Sequence, residues 1–270
     1  MENRRNQDEI ATVKIEDEAD TPRLTMTGMS IIGTREYQQD TYYLMATQRG
    51  TLAVICDGMG GMEHGEIASM TAVEKIAGDF ELWEQEESPA AFLNREAFAM
   101  DRQVAQITDE NGRKLAAGTT VVCAMTEGNS LYWLSVGDSR IYVFREGQML
   151  CVTRDHNYGF RLQRQLEAGS ITEEEYNSKK EQSEALVSYL GMDGLEMIDC
   201  NRESFLLEEG DRILLCSDGL YKCLPEDRIR DILQEEGMLG KQVVEKLLNE
   251  VEESPKRNKD NTTAVLLEYR

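Results

Sequence analysis

The sequence predicts an α+β fold: two packed antiparallel β-sheets, a β-sandwich, flanked by pairs of α-helices and carrying a helical flap insertion. Three observations carry that expectation. Short apolar runs recur, separated by turn segments such as Glu127-Gly128-Asn129 and Glu146-Gly147, which favour hairpins and antiparallel pairing. Helical periodicity comes in paired stretches rather than after every strand, which argues against alternating βαβ units. Amphipathic helices must each bury one face, and the outer sides of two stacked sheets supply those surfaces.

Taken in order, residues 1–23 read as a disordered acidic tail, because Glu16-Asp17-Glu18-Ala19-Asp20 is a charged run followed by Pro22. Residues 24–270 read as one domain, with neither an interdomain linker nor an internal repeat. Strands are expected at about 27–33, 41–46, 51–56, 119–126, 130–136, 140–145, 148–152, 196–206, 212–217 and 262–269. Ile67, Met70, Val73, Ala77 and Phe80 recur at helical spacing, as do Leu93, Ala97, Met100, Val104 and Ile107. Ser88-Pro89 starts the second of these helices with a cap residue and a proline in its first turn. Thr172 and Glu175 form a capping box within the flap, at about 157–190. Leu239, Val243, Leu247 and Val251 mark a later helix that ends before Pro255.

The balance of 29 basic against 51 acidic side chains, a net charge of −22, opposes nucleic-acid binding, since a polyanion is repelled. No stretch reaches the roughly 20 apolar residues of a membrane helix, and residues 1–20 lack the apolar core of a secretory signal. These features predict a cytoplasmic protein without membrane contact. Six cysteines form no CxxC pair and read as reduced core residues. Two histidines, His64 and His156, are too few for a multi-histidine metal site.

Five aspartates concentrate the chemistry: Asp40, Asp57, Asp138, Asp218 and Asp260. Asp57, Asp138 and Asp218 each follow a short apolar run at a turn, so each strand delivers a carboxylate at its exit. Carboxylates gathered in one place repel unless something positive lies between them, and hard divalent cations such as Mn2+ or Mg2+ take oxygen ligands. In Asp57-Gly58-Met59-Gly60-Gly61 the glycines let main-chain carbonyls approach a ligand. Taken singly, each piece has a plainer explanation: a tight strand-to-helix turn at Asp57, a strand-end turn at Asp218, an Asx turn at Asp260, a hairpin turn at Asp138.

In combination the pieces resemble the PPM, or type 2C, family of metal-dependent Ser/Thr protein phosphatases, in its bacterial branch. The resemblance rests on Arg35-x-x-Gln38-Gln39-Asp40, on Val54–Gly61 with Gly65-Glu66-Ile67-Ala68-Ser69, and on Gly118-Thr119-Thr120. It continues through Val136-Gly137-Asp138-Ser139-Arg140-Ile141-Tyr142, Thr153-Arg154-Asp155-His156, Leu214–Leu220 and Asp260-Asn261-Thr262-Thr263. It implies hydrolysis of phosphoserine and phosphothreonine in proteins, opposing a Ser/Thr protein kinase, with two or three Mn2+ or Mg2+ ions. It also implies that Asp57 bridges two ions and the Gly58 carbonyl completes one shell. Asp218 and Asp260 would hold the other ion, and Asp138 with Asp218 a third, weaker one. Arg35 would grip the substrate phosphate and Asp40 would orient water.

Two positions depart from many eukaryotic relatives, which have an acidic residue at Gln39 and a histidine at Met59; Met59 cannot donate a proton to the leaving group. His64 reads as a surface turn residue, and His156 as structural with Asp155 as a salt-bridge or turn partner. Three alternatives stay open on sequence: a catalytically weak module that captures phosphoproteins, a phosphatase for an anti-sigma-factor antagonist, and a different metal hydrolase using the same carboxylates. The flap, with Arg161, Arg164, Lys179 and Lys180, reads either as a solvated helical pair or as a substrate-selecting segment.

Overall fold

The computed structural model describes residues 11–16, 22–59, 64–84, 86–235 and 237–270. The chain runs β1 (Ala11–Glu16), β2 (Pro22–Ile31), β3 (Asp40–Ala46), β4 (Thr51–Asp57), α1 (Gly65–Glu81) and α2 (Pro89–Ala105). Then follow β5 (Val121–Glu127), β6 (Ser130–Val136), β7 (Arg140–Arg145), β8 (Gln148–Cys151), α3 (Tyr158–Glu167) and α4 (Glu173–Lys179). The chain closes with β9 (Asp199–Cys200), β10 (Phe205–Leu206), β11 (Arg212–Cys216), α5 (Asp218–Tyr221), α6 (Glu226–Gln234), α7 (Gly240–Glu253) and β12 (Thr262–Tyr269).

Two antiparallel sheets result, one ordered β1-β2-β12-β11-β7-β8 and the other β10-β6-β5-β4-β3 with β9 added beside β6. The strand period of two sorts the side chains into layers. Ala53 and Ile55 of β4 meet Ile213 and Leu215 of β11 and Val265 and Leu267 of β12 between the sheets. Their sequence neighbours Leu52, Val54 and Cys56 face the other way, onto α1 and α2. Leu214, Cys216, Ala264 and Leu266 turn outward onto α5, α6 and α7. The predicted sandwich between helix pairs is the one observed.

Three local expectations are corrected. The first is the disordered tail over 1–23: Ala11–Glu16 forms a strand paired antiparallel with β2. Ala11, Val13 and Ile15 alternate with polar residues, a strand signal masked by the acidic run behind it; residues 1–10 and 17–21 lie outside those described. Second, the strand expected over 196–206 is two short pieces. Between them the Asn201 side chain takes over the pairing, accepting from Trp133 N at 2.7 Å and donating to Leu131 O at 3.2 Å. Third, the buried face of α1 is broader than expected. Val73, Ala77 and Phe80 are buried as expected, Ala68, Ala72 and Ile76 join them, and Met70 is 43% exposed. The cap at Ser88 and the capping box at Thr172 and Glu175 form as expected.

Strand register decides where the aspartates go. In one sheet the end of β11, the starts of β7 and β12 and the end of β2 share an edge, since Cys216 pairs with Arg140 and Ala264, and Thr262 with Ile31. In the other, Asp40 at the start of β3 pairs with Asp57 at the end of β4, and Val121 with Val136. The β6–β7 turn joins the two sheets at this same end.

Candidate metal centre and active site

All five aspartates lie at that end of the sandwich. Asp40 and Asp57 come from facing strand termini, Asp138 from the β6–β7 turn, Asp218 from the first position of α5, and Asp260 from the segment entering β12. The sheets are clasped there by polar side chains. Ser217 Oγ and Thr263 Oγ1, from one sheet, donate to Asp40 Oδ2 of the other at 2.8 and 2.7 Å. Thr120 Oγ1 and Ser139 Oγ lie 2.8 Å apart across the same seam. Asn261 accepts from Gln39 N at 2.9 Å and donates to Ile32 O and Tyr37 O at 3.0 and 3.1 Å, fixing the loop that carries Arg35.

Burial and mutual repulsion oppose ionisation of these carboxylates. Burial, reinforced by Asp40, Asp218, Asp138 and Asp260, holds the Asp57 carboxyl well above its usual range. Burial pushes Asp40 up to about 7, against the opposing hydrogen bonds from Thr263 and Ser217. Burial and then Asp218 raise Asp138 to about 6, with Lys222 pulling the other way. Two cations answer part of this charge. Arg35 Nη2 lies 2.7 Å from Asp260 Oδ2, and that hydrogen bond raises the guanidinium further above neutrality. Lys222 Nζ lies 2.7 Å from Asp218 Oδ2 and 3.3 Å from Asp138 Oδ2. Burial would discharge this ammonium, but Asp218 and Asp138 outweigh it and keep it above its ordinary value.

The residues present fit divalent cations. Asp40 Oδ1 is buried and has no hydrogen-bond partner among the described residues, a state that costs free energy unless a cation or water meets it. Gly58 is held where only a bare backbone fits: a Cβ there would lie 2.2 Å from Gly65 O and 2.7 Å from Gln39 O. Gly219 is equally confined, its Cβ position lying 2.2 Å from Asn261 O, so α5 and the Asp260 segment sit backbone against backbone. Among the described residues no three acidic, His or Cys side chains converge on one point by themselves. Asp260 turns to Arg35 and Asp218 to Lys222.

Beside the carboxylates a cleft of about 360 Å³ is lined by Arg35, Asp218, Lys222, Lys256, Asn258 and Asp260, among others. Other chemistry recedes. Burial raises the Cys56 and Cys216 thiols, so neither serves as a thiolate nucleophile. His156 is buried; its Nδ1 accepts from Gly137 N at 3.2 Å and its backbone N–H donates to Gly137 O at 2.8 Å, which braces the turn carrying Asp138. Asp155 forks with Arg140 at 2.9 and 2.8 Å rather than with His156, whose Nε2 lies 3.8 Å from Asp199 Oδ2. His64 caps the start of α1 with φ 68°, a turn position. Met59 N donates to Gly118 O at 3.0 Å.

Sequence reasoning missed Lys222, the Asn261 brace and the Ser217–Thr263 clasp on Asp40. For Lys222 a signal existed: it stands four residues after Asp218, the spacing at which helical side chains meet. The flap holds α3 and α4, and its far end returns to the site, where Glu184 Oε2 lies 3.2 Å from Lys222 Nζ.

Comparison with known proteins agrees with this geometry. The family model "Protein phosphatase 2C" matches residues 27–258. The serine/threonine phosphatase stp of Listeria welshimeri is 28% identical over 195 residues, covering 70% of this chain and 74% of the relative. The solved S. agalactiae serine/threonine phosphatase superposes with TM-score 0.76 at 25% identity, covering 92% of this chain and all, 100%, of that one. The catalytic domain of the phosphatase PstP, solved in complex with 2 manganese ions, matches with TM-score 0.70 at 26% identity over 91% of this chain and 97% of that one. With most of its length matched by the family model and its carboxylates gathered at one end of the two-sheet scaffold, this chain belongs to the protein phosphatase 2C family.

Proposed function

We propose that this protein is a metal-dependent phosphatase that removes phosphate from phosphoserine and phosphothreonine in proteins. The carrying observation is that Asp40, Asp57, Asp138, Asp218 and Asp260 are gathered at one end of the sandwich with Arg35 beside them. Asp57 and the Gly58 carbonyl, with Asp218 and Asp260, would hold two Mn2+ or Mg2+ ions, and Asp138 adds a further carboxylate next to Asp218. The manganese complex of the PstP catalytic domain supports this metal class.

Bound there, divalent cations supply Lewis-acid activation of water and neutralise charge at the phosphoryl group. The protein's own residues do the rest. Arg35 stays protonated and presents a planar fork to two phosphoryl oxygens. Its ion pair with Asp260 keeps that fork at the mouth of the cleft. Asp40, clamped through Oδ2 by Ser217 and Thr263, keeps Oδ1 free to accept from a water in the site. Met59 offers no proton, so the leaving alkoxide takes its proton from water.

The substrates we infer are phosphorylated proteins, with the enzyme opposing a Ser/Thr protein kinase in signal transduction. Among the described residues no helix is long and apolar enough to cross a membrane; with the acidic net charge, this supports a cytoplasmic site of action. The test is hydrolysis of a phosphothreonine peptide by the metal-stripped protein with and without added Mn2+. Turnover restored by Mn2+ is expected. Full activity in excess chelator, or none with metal, refutes the proposal. Phosphopeptide binding without turnover would favour a capture module.

A further inference from the structure

Lys222 follows the single turn of α5, and its ammonium reaches three carboxylates from three separate segments. Asp218 Oδ2, at the exit of β11, is 2.7 Å away; Asp138 Oδ2, in the β6–β7 turn, 3.3 Å; and Glu184 Oε2, at the end of the flap, 3.2 Å. An ammonium has three donors, and here three carboxylates lie within reach of it. The neighbouring ring of Tyr221 lies 5.9 Å from Nζ, and the Tyr221 hydroxyl donates to Asp138 O at 2.9 Å, which holds the acceptor segment still.

The same two carboxylates, Asp138 and Asp218, are those the sequence resemblance assigns to a third divalent ion. An ammonium and a metal ion compete for the same oxygens, and two positive charges cannot share that space cheaply. The lysine has an entropic advantage as well: it is tethered one turn from Asp218, so its meeting with that carboxylate is intramolecular. We propose that the Lys222 ammonium stands as a built-in cation between Asp138 and Asp218, so that this phosphatase holds two divalent ions and excludes a third. The proposal rests on the two-ion arrangement around Asp57, and its test separates the two.

Metal-stripped full-length protein is titrated with Mn2+ to millimolar concentration, and bound ions are counted from the loss of the free-ion EPR signal. Wild type is expected to bind two ions, Lys222→Met three, and Lys222→Met/Asp138→Asn two again. Lys222→Gln, which keeps a polar end, provides a second folded variant and should also bind three. Three ions in wild type overturn the proposal, as do two ions in both single variants, and in either case the two-ion centre stands. No bound ion in wild type overturns the two-ion centre itself.

Discussion

Asp40 and Asp57 face each other as register partners at the ends of β3 and β4, so one pair of adjacent strands presents two carboxylates at a single edge. Two like charges directly opposite on neighbouring strands destabilise a sheet. Here the arrangement is stabilised from the other sheet, through the hydroxyls of Ser217 and Thr263 on Asp40. A catalytic scaffold thus spends fold stability on holding negative oxygens where cations will need them.

That clasp can be probed directly. Ser217→Ala or Thr263→Val removes one of the two donors and leaves a buried carboxylate oxygen short of a partner. A stability loss of about 1–3 kcal/mol is expected in metal-free protein, with weaker Mn2+ affinity. Thermal melting in chelator, followed by Mn2+ titration, measures both. Unchanged melting in both variants would show that the clasp is not structural.

Asp57→Asn should have opposite effects on activity and on stability. Turnover should fall by at least about a hundredfold, since a group that holds the cations is lost. In chelator the variant should melt higher than wild type, because one charge leaves a crowded cluster. With saturating Mn2+ the order should reverse. Wild-type turnover in this variant would contradict the assignment of Asp57.

Arg35→Lys keeps the charge and discards the fork. A fall in kcat/KM of roughly 10- to 100-fold is expected, since a point charge cannot bind two phosphoryl oxygens side by side. The Mn2+ stoichiometry should stay the same. If peptide kinetics are unaltered, phosphate binding does not run through Arg35.

Glu96, buried on α2 away from the site, gives a pH signature of its own. Burial and then Asp79 raise it from 4.5 to about 7, against the attraction of Lys75 and Arg95. A raised folded value means that its contribution is intact below pH 4.5 and is lost as pH climbs through about 7. Over that window the unfolded chain releases the proton while the folded one retains it. Glu96→Gln should therefore remove a decline on the order of 2–3 kcal/mol between those limits. Denaturant melts at several pH values decide it, and parallel profiles for the two proteins would rule the effect out.

Much of the site was legible in the chain because its aspartates sit next to strand ends. A carboxylate at a strand exit leaves a local mark, an apolar run followed by a turn dipeptide, as at Asp57-Gly58 and Asp218-Gly219. Lys222 leaves no such mark. A lysine after a short helix reads as a solvated surface residue, and its partners Asp138 and Glu184 lie 84 and 38 positions earlier in the chain. The breadth of the buried face of α1 was hidden for a related reason: periodicity shows that a helix is amphipathic, while how many of its small residues the sheet covers depends on the packing beneath.

By itself the order of residues determined the layered α+β class, the paired helices and the strand-exit positions of Asp57, Asp138 and Asp218, because these follow from spacing along one chain. Only the folded molecule decided that Asp40 is clamped by Ser217 and Thr263, that Asn261 braces the Arg35 loop, and that an ammonium lies between Asp138 and Asp218. Apart from the one-turn contact of Lys222 with Asp218, each of those contacts joins segments far apart in sequence, and register between strands, which no local pattern encodes, sets which oxygens meet.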